Sequence, residues 1–283
     1  MLRRGLWCAA LLAALVGQAH AGADDFDRVV SFGDSLSDNG NLAALVPGSV
    51  PPPYFNGRFS NGPTWIELLS DPAKSTNPDS SMNRFWSGFD VGADGENVNA
   101  AVGGANTVGG SPTSPPSVRT QIGTVAAGGT FGPNDLVSIQ GGANDFFGFF
   151  STTPSPTAAG ISSFAITTGL NDAGNIELAI GAGAKTIIVS NLPNLGATPR
   201  FNGSPLSAQA GLLASATYNN TLDARTEALA AANPDVNLVQ MDWFAALKIV
   251  VADPAAFGFT NVTQACLGNP ACTNPDTFLF WDS

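Results

Sequence analysis

Ser35 lies in the run Phe32-Gly33-Asp34-Ser35-Leu36-Ser37-Asp38, directly after the apolar stretch Arg28–Phe32. Glycine permits a tight turn there, and a serine at a strand end is a candidate nucleophile. The same hydroxyl could instead cap a helix that it opens. Two further strand-like runs end in hydrogen-bond donors. Asn99-Ala100-Ala101-Val102-Gly103-Gly104-Ala105-Asn106 carries paired glycines, whose backbone N–H groups can come close to a substrate oxyanion. Gln140-Gly141-Gly142-Ala143-Asn144-Asp145 offers the Asn144 side-chain amide, although asparagine is also a common turn residue. Nucleophile, backbone donor and amide donor at three successive strand ends together describe acyl transfer through a covalent intermediate.

A serine nucleophile needs a proton acceptor. The sequence has one histidine, His20, near its start. Lys74, Lys185 and Lys248 sit in no matching motif, and Lys185 opens a strand at its far end. Asp34, Asp38 and Asp145 could accept a proton but read better as turn and capping carboxylates.

These residues require a scaffold that brings strand ends together. Five apolar runs read as buried parallel strands: Arg28–Phe32, a short one near Glu96–Asn99, Asp135–Gln140, Lys185–Asn191 and Asn237–Met241. Helices are expected at Thr64–Ser70, Ile161–Ala182 and Leu206–Ala232. Alternating strands and helices imply an α/β fold with a parallel sheet. Long Gly/Pro/Ser/Thr-rich stretches at Gly103–Gly132, Gly148–Gly160, Leu192–Pro205 and Ala252–Thr277 are expected as loops walling a pocket at the strand ends.

Composition narrows the class. Acidic residues number 22 against 11 basic, a net charge of -11, which argues against nucleic acid and against electrostatic docking on anionic membranes. Residues 1–21 read as a signal peptide: Arg3 and Arg4, an apolar run from Leu6 to Val16, then Ala19-His20-Ala21. It is too short for a membrane span, and export by the general secretory route to the periplasm or beyond is expected. Its removal would remove His20. Cys266 and Cys272 then form an even pair, expected as a disulfide in an exported protein, with no metal site.

The three strand-end blocks resemble the GDSL, or SGNH, hydrolase superfamily. Phe32 to Asn41 is similar to its first block, Asn99 to Ala105 to its second and Gly142-Ala143-Asn144-Asp145 to its third. Phe280-Trp281-Asp282-Ser283 resembles the start of the last block, where Trp-Asp-x-x-His-Pro is usual. Pro51–Trp65 resembles the same segment in secreted bacterial lipases, lysophospholipases and glycerophospholipid–cholesterol acyltransferases.

The resemblance implies a three-layer α/β/α, flavodoxin-like fold with a five-stranded parallel sheet over residues 22–283. It implies Ser35 as nucleophile, and an oxyanion hole of the Ser35 N–H, the Gly104 N–H (or Gly103) and the Asn144 side chain. Asp282 would orient a histidine expected near position 285. The chain is therefore expected to be truncated at its C terminus, short of that histidine and of a closing helix, and impaired as written. Arg58, Asn61 and Trp65 are the candidate substrate-binding residues, with the alternative that Arg58 and Trp65 only fasten their loop. A small-molecule acyl ester or lipid substrate, no metal or organic cofactor, no stable membrane span and a monomer are expected. The competing readings are a non-catalytic ligand-binding protein on the same scaffold and a carbohydrate acetylesterase.

Overall fold

Successive side chains of the central strands enter opposite layers, and this parity organises the molecule. In the computed structural model, which describes residues 26–70, 82–87, 97–110 and 114–283, a parallel sheet forms the middle. Its five main strands are β1 (Arg28–Phe32), β3 (Val98–Asn99), β4 (Asp135–Gln140), β5 (Thr186–Ser190) and β6 (Asn237–Met241). A sixth, two-residue strand β2 (Asn83–Arg84) joins the edge, giving the order β2-β3-β1-β4-β5-β6. It is not legible in the sequence, because two residues carry no periodicity.

Val30, Phe32, Val137, Ile139, Ile187 and Val189 share one face of the sheet and enter the large core. That face is covered by helices α3 (Val118–Gly128), α5 (Ala158–Gly181) and α6 (Pro205–Ala232), which contribute Ile122, Ile176, Tyr218 and Leu222. Val29, Leu136 and Ile188 point the other way into a smaller cluster with Ile66 from α2 (Trp65–Ser70). Helix α7 (Trp243–Ala252) is apolar but has no fully buried residue, and Ile249 is 41% exposed. The three-layer α/β/α architecture is thus present, with one layer much thicker than the other.

Several long stretches expected as loops are partly helical. Gly103–Gly132 contains α3, and Gly148–Gly160 begins inside α4 (Ala143–Thr152). Both helices follow turn-rich sequence that masks them. For α3 a signal existed: Ser117 caps the Thr120 N–H, and Val118, Ile122 and Val125 recur at helical spacing. In the Ala252–Thr277 stretch, β7 (Asn261–Ala265) pairs in parallel with β8 (Phe278–Phe280) as a separate two-stranded sheet. The disulfide Cys266–Cys272 follows β7, as expected. Residues 1–21, read as a signal peptide, lie outside the described residues.

Counting the main strands alone, the spatial order is second, first, third, fourth, fifth. The chain leaves β1 to one side for β3 and then returns to the other side for β4. Ligands in such sheets bind beyond the strand ends where the order reverses. Here that point follows β1, where Ser35 sits.

Candidate active site

The turn after β1 is held from three directions. Gln121 of α3 grips Gly33 twice: its Oε1 accepts the Gly33 N–H at 2.9 Å, and its Nε2 donates to the Gly33 carbonyl at 2.9 Å. Asp34 closes the turn, its Oδ1 accepting the Leu36 N–H at 3.1 Å and its carbonyl accepting those of Ser37 and Asp38. Ser37 Oγ donates to Gln140 Oε1 at the end of β4 and accepts from the Trp65 indole N–H at 3.0 Å.

Ser35 itself is half-buried at the crest, beside Leu36, which is 51% exposed. It does not open a helix. It stands in a single turn, and the short helix α1 (Asn41–Leu45) begins six residues later. Capping falls to Asp38: Oδ1 accepts from Gly40 and Asn41, and Oδ2 from Leu42. Ser35 is thereby relieved of the capping role.

The second block is tied to the first. Val102 N–H donates to the Gly33 carbonyl, and Asn99 Nδ2 donates to the Ser37 carbonyl at 2.6 Å. Gly103 N–H donates to Asp38 Oδ2 at 2.8 Å. That bond bears on the choice left open between the two glycines. The Gly103 amide is consumed internally, whereas Gly104 is exposed, with φ +82° that suits glycine.

The third block grips the same loop from the opposite side. Asn144 Nδ2 donates to the Ala105 carbonyl at 3.1 Å, leaving the second amide hydrogen for another acceptor. Asp145 accepts the Thr107 N–H and hydroxyl, both at 2.9 Å. Gly142 begins α4 with φ +101°, and a Cβ there would lie 3.0 Å from the Tyr218 ring. The turns after β1 and β4, which carry Ser35 and Asn144, thus both bond the loop after β3, which carries Gly104.

Beneath this surface lies a set of carboxylates whose pKa values burial raises. Burial pushes Asp34 up to about 7, reinforced by repulsion from Asp145, Asp172 and Asp38. Burial likewise raises Asp145 to about 6 and lifts Asp38 and Asp172 above the ordinary range. Tyr218 donates to Asp172 Oδ2 at 2.6 Å, and Asn175 links Asp172 Oδ1 to the Thr107 carbonyl. Gln121, Asp172, Asn175 and Tyr218 are not singled out by any sequence motif. Each is a polar residue inside an apolar helix pattern, which is the signal that was available.

Asp282 is partly buried, and burial raises its pKa. Tyr54 Oη donates to its Oδ2 at 2.9 Å. The three expected substrate contacts are placed differently. Arg58, only 6% exposed, pairs with Glu67 Oε1 at 2.7 Å and donates to the Asn56 carbonyl. Glu67 also accepts the Thr64 N–H and hydroxyl, so Arg58 fastens the loop. Trp65 is held by Ser37 and packs edge-on against Trp243, with ring centres 5.8 Å apart. Asn61 is exposed, its amide 3.3 Å from Asp276 Oδ1.

A parallel α/β/α sandwich with a serine turn at its switch point, flanked by backbone and amide donors, defines a serine ester hydrolase scaffold. The chain belongs to the GDSL-like lipase/acylhydrolase family, whose sequence model matches residues 29–283. It is a carboxylic ester hydrolase of that type. It is 29% identical to the phosphatidylcholine-sterol acyltransferase of Aeromonas hydrophila over 97% of this chain and 75% of that protein. It is 24% identical to the thermolabile hemolysin of Vibrio parahaemolyticus, over 92% of this chain and 60% of that protein. With the esterase EstA of Pseudomonas aeruginosa the identity is 28%, over 98% of this chain and 45% of that protein.

Proposed function

We propose that the chain cleaves carboxylic esters of acyl lipids or short acyl chains through an acyl-enzyme on Ser35, and that it can pass the acyl group to an alcohol as well as to water. The observation that carries this reading is that the turns after β1 and β4 both bond the loop after β3, from Asn99 to Thr107. Asp38, Asn144 and Asp145 each bond that loop. The loop is thereby held rigid, and a fixed donor such as the Gly104 N–H or the Asn144 amide would stabilise developing negative charge without reorganising during reaction, each worth about 3 kcal/mol in the transition state.

In this mechanism Ser35 Oγ attacks the ester carbonyl, and the oxyanion takes bonds from the Ser35 and Gly104 N–H groups and the Asn144 amide. The proton moves to a general base, a role that a histidine fills in the family pattern Trp-Asp-x-x-His-Pro. Asp282 orients that imidazole and stabilises its charged form. The histidine returns the proton to the leaving alcohol. Water, or an acceptor alcohol, then attacks the acyl-enzyme and regenerates Ser35.

The name of the Aeromonas hydrophila relative supports a phospholipid as acyl donor. Among the described residues no helix is long and apolar enough to cross a membrane. The Cys266–Cys272 disulfide fits export into an oxidising compartment. The test is hydrolysis of p-nitrophenyl butyrate and of phosphatidylcholine vesicles, followed by fatty-acid release. Turnover that Ser35→Ala abolishes in a folded protein is expected. Turnover that survives Ser35→Ala would sink the assignment.

A further inference from the structure

The segment from Pro51 to Trp65 joins two parts of the site that are far apart in sequence. At one end, Tyr54 Oη donates to Asp282 Oδ2 at 2.9 Å, across 228 positions of chain. The Tyr54 ring meets Trp281 edge-on at 6.3 Å and Phe59 edge-on at 5.7 Å. At the other end, the Phe59 ring fills the space over Gly103. A Cβ on Gly103 would fall 2.2 Å from Phe59 Cε2, so only glycine admits the ring. A continuous line of contacts therefore runs from Asp282 through Tyr54 and Phe59 to the oxyanion turn.

The segment is itself fixed. Phe55 N–H donates to the Ser60 carbonyl at 2.9 Å, and Arg58 N–H to the Phe55 carbonyl at 2.9 Å. The buried Arg58–Glu67 pair anchors it to α2. A hydroxyl on such a frame can hold a carboxylate in one orientation.

We propose that Tyr54 is a positioning residue for the reaction: its hydroxyl occupies Asp282 Oδ2, holds that carboxylate in one orientation, and ties the acid to the Gly103–Gly104 turn through Phe59. This rests on the assignment of Ser35 and Asp282 to a hydrolytic triad. The hydroxyl bond favours the ionised form of Asp282, opposing the burial that raises its pKa. Tyr54 keeps its proton throughout the working range, because burial and Asp282 push it up to about 12. It therefore remains a donor.

Tyr54→Phe removes the hydroxyl and retains the ring contacts. The first readout is the titration of the Asp282 carboxyl, followed by NMR in protein labelled with ¹³C-aspartate and assigned by comparison with Asp282→Asn. In Tyr54→Phe the Asp282 midpoint is expected to move up by about one on the pH scale. The second readout is ester turnover, where kcat is expected to fall about tenfold with KM unchanged. An Asp282 midpoint that stays in place would overturn the proposal, and so would a loss of thermal stability as the only effect of Tyr54→Phe. Ser35→Ala separates this from the catalytic reading. It is expected to abolish turnover while leaving the Tyr54-dependent movement of the Asp282 midpoint intact, so each claim fails on its own measurement.

Discussion

Asp38 Oδ2 accepts the Gly103 backbone N–H at 2.8 Å, and the same carboxylate accepts three N–H groups at the start of helix α1. One side chain thus fixes the turn after the nucleophile strand to the turn after its neighbour. The next residue, Gly104, is exposed.

Replacing Asp38 tests this coupling. Asp38→Asn keeps the size but swaps one accepting oxygen for an NH₂ that faces backbone donors. A loss of about 2 kcal/mol in stability is expected, since buried donors lose their acceptor. In the fraction that stays folded, kcat should fall about 100-fold as the oxyanion turn relaxes. Thermal melts and initial rates check the two effects separately.

Asn144→Ala removes the proposed oxyanion donor and the bond to the Ala105 carbonyl. The expected result is a drop in kcat of roughly 10²- to 10³-fold with little change in KM, because the donor acts mainly in the transition state. A mutant that loses KM and keeps kcat would place Asn144 in substrate binding instead.

Arg58→Ala is expected to act on stability, not on substrate affinity. It leaves the Glu67 carboxylate buried without its guanidinium partner, which costs about 3–5 kcal/mol in comparable pairs. Chemical denaturation measures the loss, and an unchanged KM below the melting range shows that the loop fastener touches no substrate.

The pH dependence of stability should run opposite to that of most acidic proteins. Asp34 titrates at about 7 and Asp145 at about 6 in the folded chain, against 3.8 as the ordinary value. The folded state then binds more protons than the unfolded state, so stability is greatest below pH 3.8 for these groups and falls as pH rises through 6 and 7. A tenfold change in proton affinity between the two states is worth about 1.4 kcal/mol, so Tm should be at least about 3 °C lower at pH 8 than at pH 5. Asp34→Asn should flatten this slope, which calorimetry across the range would show.

Residues 22–283 contain no histidine. Within them Ser35 has no imidazole to take its proton, so one supplied in the buffer can act as the base. Added imidazole should raise the rate in wild type by more than in Ser35→Ala, measured with p-nitrophenyl butyrate. Equal stimulation of both would show that imidazole acts on the ester alone.

The five main strands, the three blocks at their ends and the disulfide pair are all legible in the amino-acid sequence. These are local signals: apolar runs, glycine turns and fixed spacing report themselves without knowledge of the fold. Helices α3 and α4 are hidden there, because their glycine- and proline-rich approaches outweigh a weak helical period. Which polar groups serve the site and which serve the scaffold is settled by packing. In the sequence Arg58 reads either as a substrate contact or as a loop fastener, and the fold buries it, 6% exposed, against Glu67. Gly103 and Gly104 are equivalent in sequence, and the approach of Asp38 is what distinguishes their amides. The Tyr54–Asp282 contact joins residues 228 positions apart, beyond the reach of any local pattern. Such pairings depend on how packed layers bring distant segments together, and hydrogen bonds of a few ångströms are fixed only when that packing is complete.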